Sequence, residues 1–96
     1  MKVRYARQAV SDVMAIAGYV REHNPSAAID IERAIRTTIE LLADFPMLGP
    51  HRPELDVRLL GIPRYPYTAY YRIEGGEIWI VHIRDDRRIP LEPGDL

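Results

Sequence analysis

Six arginines stand between Val57 and Arg88, namely Arg58, Arg64, Arg72, Arg84, Arg87 and Arg88, against the four acids Glu74, Glu77, Asp85 and Asp86. Lys2 is the only lysine of the chain, so nearly all positive charge is guanidinium, a planar fork suited to carboxylate or phosphate. Such a group holds an anion but stays charged at any working pH, so it clamps and does not shuttle protons. Metal-free RNA cleavage needs more: a base for the 2′-hydroxyl proton, a cation for the crowded phosphate and an acid for the leaving oxygen. If the chain cuts RNA, Arg58, Arg72 and Arg84 are the phosphate clamps. His82 or Glu54 would then move the protons, histidine being the side-chain type that exchanges them near neutral pH. A lone strand histidine is more often structural, and surface arginines beside Glu74, Glu77, Asp85 and Asp86 commonly form ion pairs of little worth.

Composition narrows the field. The 96 residues suffice for one domain with one core, read as 1–96, and the apolar share of 47% and charged share of 28% are those of a globular protein. A net charge of −1 argues against nucleic-acid binding through bulk charge. With no cysteine there is neither disulfide nor thiolate metal site, and no metal or other cofactor is expected. Apolar runs such as Met14-Ala15-Ile16-Ala17 fall far short of a membrane span, and Met1-Lys2-Val3-Arg4-Tyr5 lacks the apolar core of a secretory signal. A cytoplasmic location is therefore expected.

Positioning these residues takes a few elements. Lys2 to Tyr5 alternates as a short strand, and Val10, Val13, Met14, Ala17 and Val20 mark the inner stripe of a helix from about Ala9 to His23. Asn24-Pro25 ends that helix and starts another, to about Asp44, whose inner stripe is Ala28, Ile31, Ile35, Ile39 and Leu42. Val10, Val13, Ile31, Ile35 and Leu42 are accordingly core positions. Phe45-Pro46-Met47-Leu48-Gly49-Pro50 opens a loop, and three strands follow at Val57–Ile62, Thr68–Ile73 and Ile78–Arg84, the last two joined at Gly75-Gly76. A two-residue turn there sets Ile73 opposite Ile78, Tyr71 opposite Ile80 and Ala69 opposite His82 on the core side. Tyr70, Arg72, Trp79, Val81 and Ile83 then share the other side, which one layer of helices leaves open to a partner. The layout is α+β: a short N-terminal strand, a helical hairpin and a three-stranded antiparallel meander.

The order of these pieces resembles the ParE/RelE toxin superfamily across nearly the whole chain. The resemblance rests on Tyr19-Val20-Arg21-Glu22-His23-Asn24-Pro25-Ser26-Ala27-Ala28, Leu41-Leu42-Ala43-Asp44-Phe45-Pro46-Met47-Leu48-Gly49, and Glu54-Leu55-Asp56-Val57-Arg58. Tyr65-Pro66-Tyr67-Thr68-Ala69-Tyr70-Tyr71-Arg72-Ile73 and Ile78-Trp79-Ile80-Val81-His82-Ile83-Arg84 complete it. It implies the toxin of a type II toxin–antitoxin system, held silent in a hetero-oligomer by a cognate antitoxin. ParE-like members are associated with blocking DNA gyrase, RelE-like members with cutting mRNA in the ribosome.

RelE-like members use sheet lysines and arginines and often a tyrosine or histidine near the C-terminus. This chain has no lysine after Lys2 and neither tyrosine nor histidine after Arg84. It also has Asp85 where many ParE-like members follow the arginine with histidine. The expectation is thus a ParE-like inhibitor rather than an enzyme, with Arg58, Arg72, Arg84 and Arg88 as target-binding candidates. Tyr70, Trp79, Val81 and Ile83 are the antitoxin-binding candidates, because aromatic and apolar groups dominate interface energetics. The alternatives are a ribosome-dependent interferase and a non-toxic interaction module.

Overall fold

Alternation at the N-terminus yields strand β1, Lys2–Tyr5, in the computed structural model, which describes residues 1–96. Helix α1 follows at Arg7–His23 and helix α2 at Pro25–Glu40, continued by one 3-10 turn at Leu41–Ala43. The break between the helices works as its residues require: the Asn24 side-chain oxygen accepts from the Ala27 amide at 3.1 Å, and Pro25 takes the first helical position. Strands β2 (His51–Arg52), β3 (Val57–Gly61), β4 (Tyr67–Glu74) and β5 (Glu77–Asp85) complete the chain. They form one sheet in the order β1-β5-β4-β3-β2, antiparallel throughout except that β1 runs parallel to β5.

One face of this sheet is buried under the helices. Ile31, Ile35, Ile39 and Leu42 from α2 and its extension meet Ala69, Tyr71, Ile78, Ile80 and Ile83 of β4 and β5 in a single core. Burying an isoleucine of this kind contributes roughly 2 kcal/mol, so the α2 stripe is a main support of the fold. The stripe read for α1 needs correction. That helix turns Ala9 and Ala17 fully inward, with Val13, Ile16 and Val20 partly buried, while Val10 is 46% and Met14 69% exposed. Alanines at the contact let α1 lie close against α2 and β5, and the rotation that seats them leaves the two larger side chains outside. Val10 and Met14 instead line an apolar groove with Val3 and Tyr5 of β1 and Ile35 and Ile39 of α2.

The turn between β4 and β5 has the expected two residues, Gly75 (φ 57°) and Gly76 (φ 74°), in the left-handed conformation that glycine adopts without strain. Ile73 faces Ile78 and Tyr71 faces Ile80 as the turn length dictates. Beyond them β5 carries one extra residue, a bulge at Val81, so that Tyr70 pairs with His82 and Ala69 with Ile83. A single inserted residue exchanges the faces of everything after it. Ile83 consequently enters the core at 2% exposure instead of lying on the open face, and His82 does not sit opposite Ala69.

Candidate functional site

Parallel pairing of β1 with β5 stops at Tyr5, after which the chain turns away into α1 and leaves the outer half of β5 paired with β4 on one edge and with no strand on the other. A side chain fills the gap. Asp12, on α1, accepts the Ile83 backbone amide at 2.9 Å and the His82 ring through the same oxygen, Oδ2, while its Oδ1 accepts from Gln8 Nε2 at 2.8 Å. The carboxylate thus stands in for the missing strand at that point of the ladder. Because an ionised carboxylate only accepts, the bound His82 nitrogen, Nδ1, is the donor, and Nε2 is left with no partner in the chain. The pair is largely shielded, the His82 and Asp12 side chains being 16% and 13% exposed. The Tyr70 ring lies 6.4 Å from the imidazole, centroid to centroid. An imidazole with one nitrogen anchored on a carboxylate and the other free is oriented for hydrogen bonding or proton transfer.

Arg84 and Arg88 border the same cleft, between α1 and β5, together with Tyr19. Arg84 donates to the Ile89 carbonyl at 2.7 Å, which folds the following segment back on the strand. Arg88 makes no ion pair. Asp85, also at this cleft, is occupied by Arg87, which gives it three hydrogen bonds through its backbone amide and guanidinium and holds its carboxyl down at about 2.

The other arginines lie elsewhere and work differently. Arg58 donates to the Gly49 carbonyl at 2.8 Å, and Arg72 Nε donates to the Asp56 carbonyl at 3.0 Å. Arg58 belongs to a knot that fixes the loop after α2. The buried Tyr71 hydroxyl accepts the Gly49 amide at 2.9 Å and donates to the Pro46 carbonyl at 2.8 Å. Burial of this phenol, the main cause, pushes its pKa above the ordinary tyrosine value. Gly49 is obligatory there: a β-carbon would stand 2.5 Å from the Leu59 carbonyl oxygen and 2.9 Å from the Tyr71 ring. Glu54 is exposed, faces Arg52 at 3.4 Å and lies in the turn between β2 and β3, away from His82.

Of the residues singled out in the sequence, the structure therefore brings together His82, Arg84 and Arg88, and leaves Arg58, Arg72 and Glu54 outside that cluster. Asp12, which organises the cluster, was not singled out; its only signal was an acid just off the apolar stripe of α1. On the open face Tyr70, Trp79 and Val81 are half-buried. The Arg4 guanidinium stacks 5.8 Å from the centre of the Trp79 ring and pairs with Glu77. No three acids or histidines come together as a metal would need, and no helix is long and apolar enough to cross a membrane.

Comparison with known proteins carries the assignment further. The chain is 28% identical over 88 residues to Toxin RelE2 of Caulobacter vibrioides, covering 92% of this chain and 98% of that protein. It superposes on a chain from the chromosomal ParDE TA system of P. aeruginosa with a TM-score of 0.79 and 28% identity, over 88% of this chain and 95% of the other. The sequence profile of the family described as "ParE toxin of type II toxin-antitoxin system, parDE" matches residues 3–90. All but the first residue of the strand, and the whole of the helical hairpin and meander, are inside that match, and the chain belongs to the ParE family of type II toxin–antitoxin toxins.

Proposed function

We propose that this toxin acts in the cytoplasm by obstructing DNA gyrase without cutting nucleic acid, and that a cognate antitoxin silences it. The observation that carries this reading is how the sheet arginines are used. Arg58, Arg72 and Arg84 each donate to a carbonyl of the protein's own backbone, and no lysine follows Lys2 to join them. Phosphoryl chemistry needs an acid and a base around the phosphate, whereas obstruction needs only a stable surface. Induced expression in a bacterial host is the test. Growth arrest with transcripts that primer extension finds unbroken, together with loss of gyrase supercoiling by the purified toxin, is the expected outcome; new cuts within mRNA would overturn it.

The Asp12–His82 pair favours one second reading, a ribosome-dependent interferase in which His82 moves the proton. In that case His82→Ala lowers cleavage by about 10²–10⁴-fold.

For the antitoxin, the groove bordered by Val10 and Met14 is the favoured seat. It combines exposed large apolar side chains with the open edge of β1, whose backbone groups await a pairing strand. Val10→Glu or Met14→Glu is then expected to abolish capture by the antitoxin while Trp79→Ala preserves it. The reverse pattern would move the contact to Tyr70, Trp79 and Val81 on the sheet face.

A further inference from the structure

We infer that the cleft between α1 and the outer half of β5 is a phosphate-binding site, with Arg88 and Arg84 as the clamp and the His82 ring in its wall as the reporter. Two acids lie at this cleft, and both are already engaged. Asp12 accepts three N–H donors, from Gln8, His82 and Ile83, and Asp85 is held by Arg87. Asp86, next in sequence, accepts the Thr68 hydroxyl at 2.6 Å. The cations are not matched in this way. The Arg88 guanidinium makes no hydrogen bond or ion pair, feeling Asp85 only through space, and Arg84 spends one of its five N–H donors on Ile89. With both carboxylates already engaged, the guanidinium donors left over give this small concave surface capacity for an anion.

Shape and rigidity agree with that charge. The cleft holds about 170 Å³, room for a tetrahedral anion and some of its waters. Its floor is fixed, because the Ile83 amide and the His82 ring are both tied to Asp12, so the imidazole is oriented before any ligand arrives. Planar guanidinium forks pair with phosphate oxygens through two parallel N–H bonds. The phosphate can be free in solution or be a phosphodiester of a nucleic-acid strand, and the site is inferred from this cleft alone, whatever the toxin's target.

Histidine-detected NMR on the full chain tests the inference, since His23, His51 and His82 are the only three imidazoles. Titration with inorganic phosphate at constant ionic strength is expected to move the His82 signals along a saturable curve while His23 and His51 stay in place. Arg88→Ala is expected to weaken that binding about tenfold or more, the size of one lost charge-assisted contact, and Arg88→Lys to restore part of it. Arg88 is exposed, so neither change threatens the fold. A short single-stranded oligonucleotide that saturates the same His82 shift at lower phosphate concentration assigns the site to a phosphodiester; equal or weaker binding assigns it to free phosphate. Signals of His82 that do not move with either probe, or that move in parallel with the other two histidines and ignore Arg88→Ala, overturn the inference.

Discussion

The knot around Tyr71 and the cleft around His82 are built from the same materials, a buried or shielded aromatic side chain, arginines and backbone groups, yet they are finished differently. At Tyr71 the accounts are closed. The hydroxyl both accepts and donates, Arg58 serves the Gly49 carbonyl, and the glycine leaves no room for another atom. At His82 the inner side is just as well tied, to Asp12, but the outer nitrogen and the Arg88 guanidinium end in an open cleft. Polar side chains whose bonds all point inward maintain shape, and those with capacity left at the surface are where a ligand can add something. An arginine's type is therefore a poor guide to its task, and the bonds that it already makes are a better one.

This contrast can be broken by mutation. The largest loss is expected for Gly49→Ala, where the added carbon meets backbone that must shift; about 3 kcal/mol of unfolding free energy should disappear, read from the denaturant midpoint. A midpoint close to wild type would show that the loop is pliable and the knot unimportant. Tyr71→Phe should cost about 1–3 kcal/mol, because it strands the buried Gly49 amide, with no change in denaturant slope. Asp12→Ala should cost a similar or smaller amount by freeing the Ile83 amide and His82. Asp12→Asn should recover part of it, since an amide oxygen still accepts the Ile83 N–H. If Asp12→Asn proves as harmful as Asp12→Ala, the charge on the carboxylate and not its acceptor geometry is what holds the strand.

Least is expected of Asp85→Asn. The Asp85–Arg87 pair lies at the surface, with the Arg87 side chain 71% and the Asp85 side chain 24% exposed, and surface pairs of this kind leave melting temperature almost unmoved. Its pH behaviour is still distinctive. The folded-state pKa is depressed, so any stability it contributes is complete above the ordinary carboxylate range and is lost as pH falls through about 2. Carboxyl-carbon NMR should find Asp85 still ionised at a pH where ordinary exposed carboxylates have protonated. Protonation in step with them would show that Arg87 does not hold it.

Local chemistry made much of the fold legible. Asn24-Pro25 marks the helix junction, Gly75-Gly76 the hairpin, and the isoleucines of α2 the core, and each acts through neighbours within a few residues. What escaped was governed by distant partners. The bulge at Val81 has no sequence mark, and it alone moves Ile83 into the core and turns His82 away from Ala69. The rotation of α1 follows the close burial of Ala9 and Ala17, so Ala9, which the stripe left out, helped decide which larger side chains stayed outside. Asp12 meets residues seventy positions away, a pairing that no spacing rule reveals. Arg84 and Arg88 were recognisable as candidates from charge alone, but their distinction from Arg58 and Arg72 is one of place, since only they border the cleft at His82.

Strand β1 has its one partner in β5, the last strand of the sheet to be made. Early translation products can form the helical hairpin, whose contacts are close in sequence, but they hold no edge on which residues 2–5 could settle. Closing that long-range pairing is entropically slow compared with local helix formation. The sheet is therefore completed only once β5 has left the ribosome, and the Asp12 bond to β5 must wait equally long. Until β5 emerges, a nascent chain of this design lacks both the β1 pairing and the Asp12 bond that close the sheet edge.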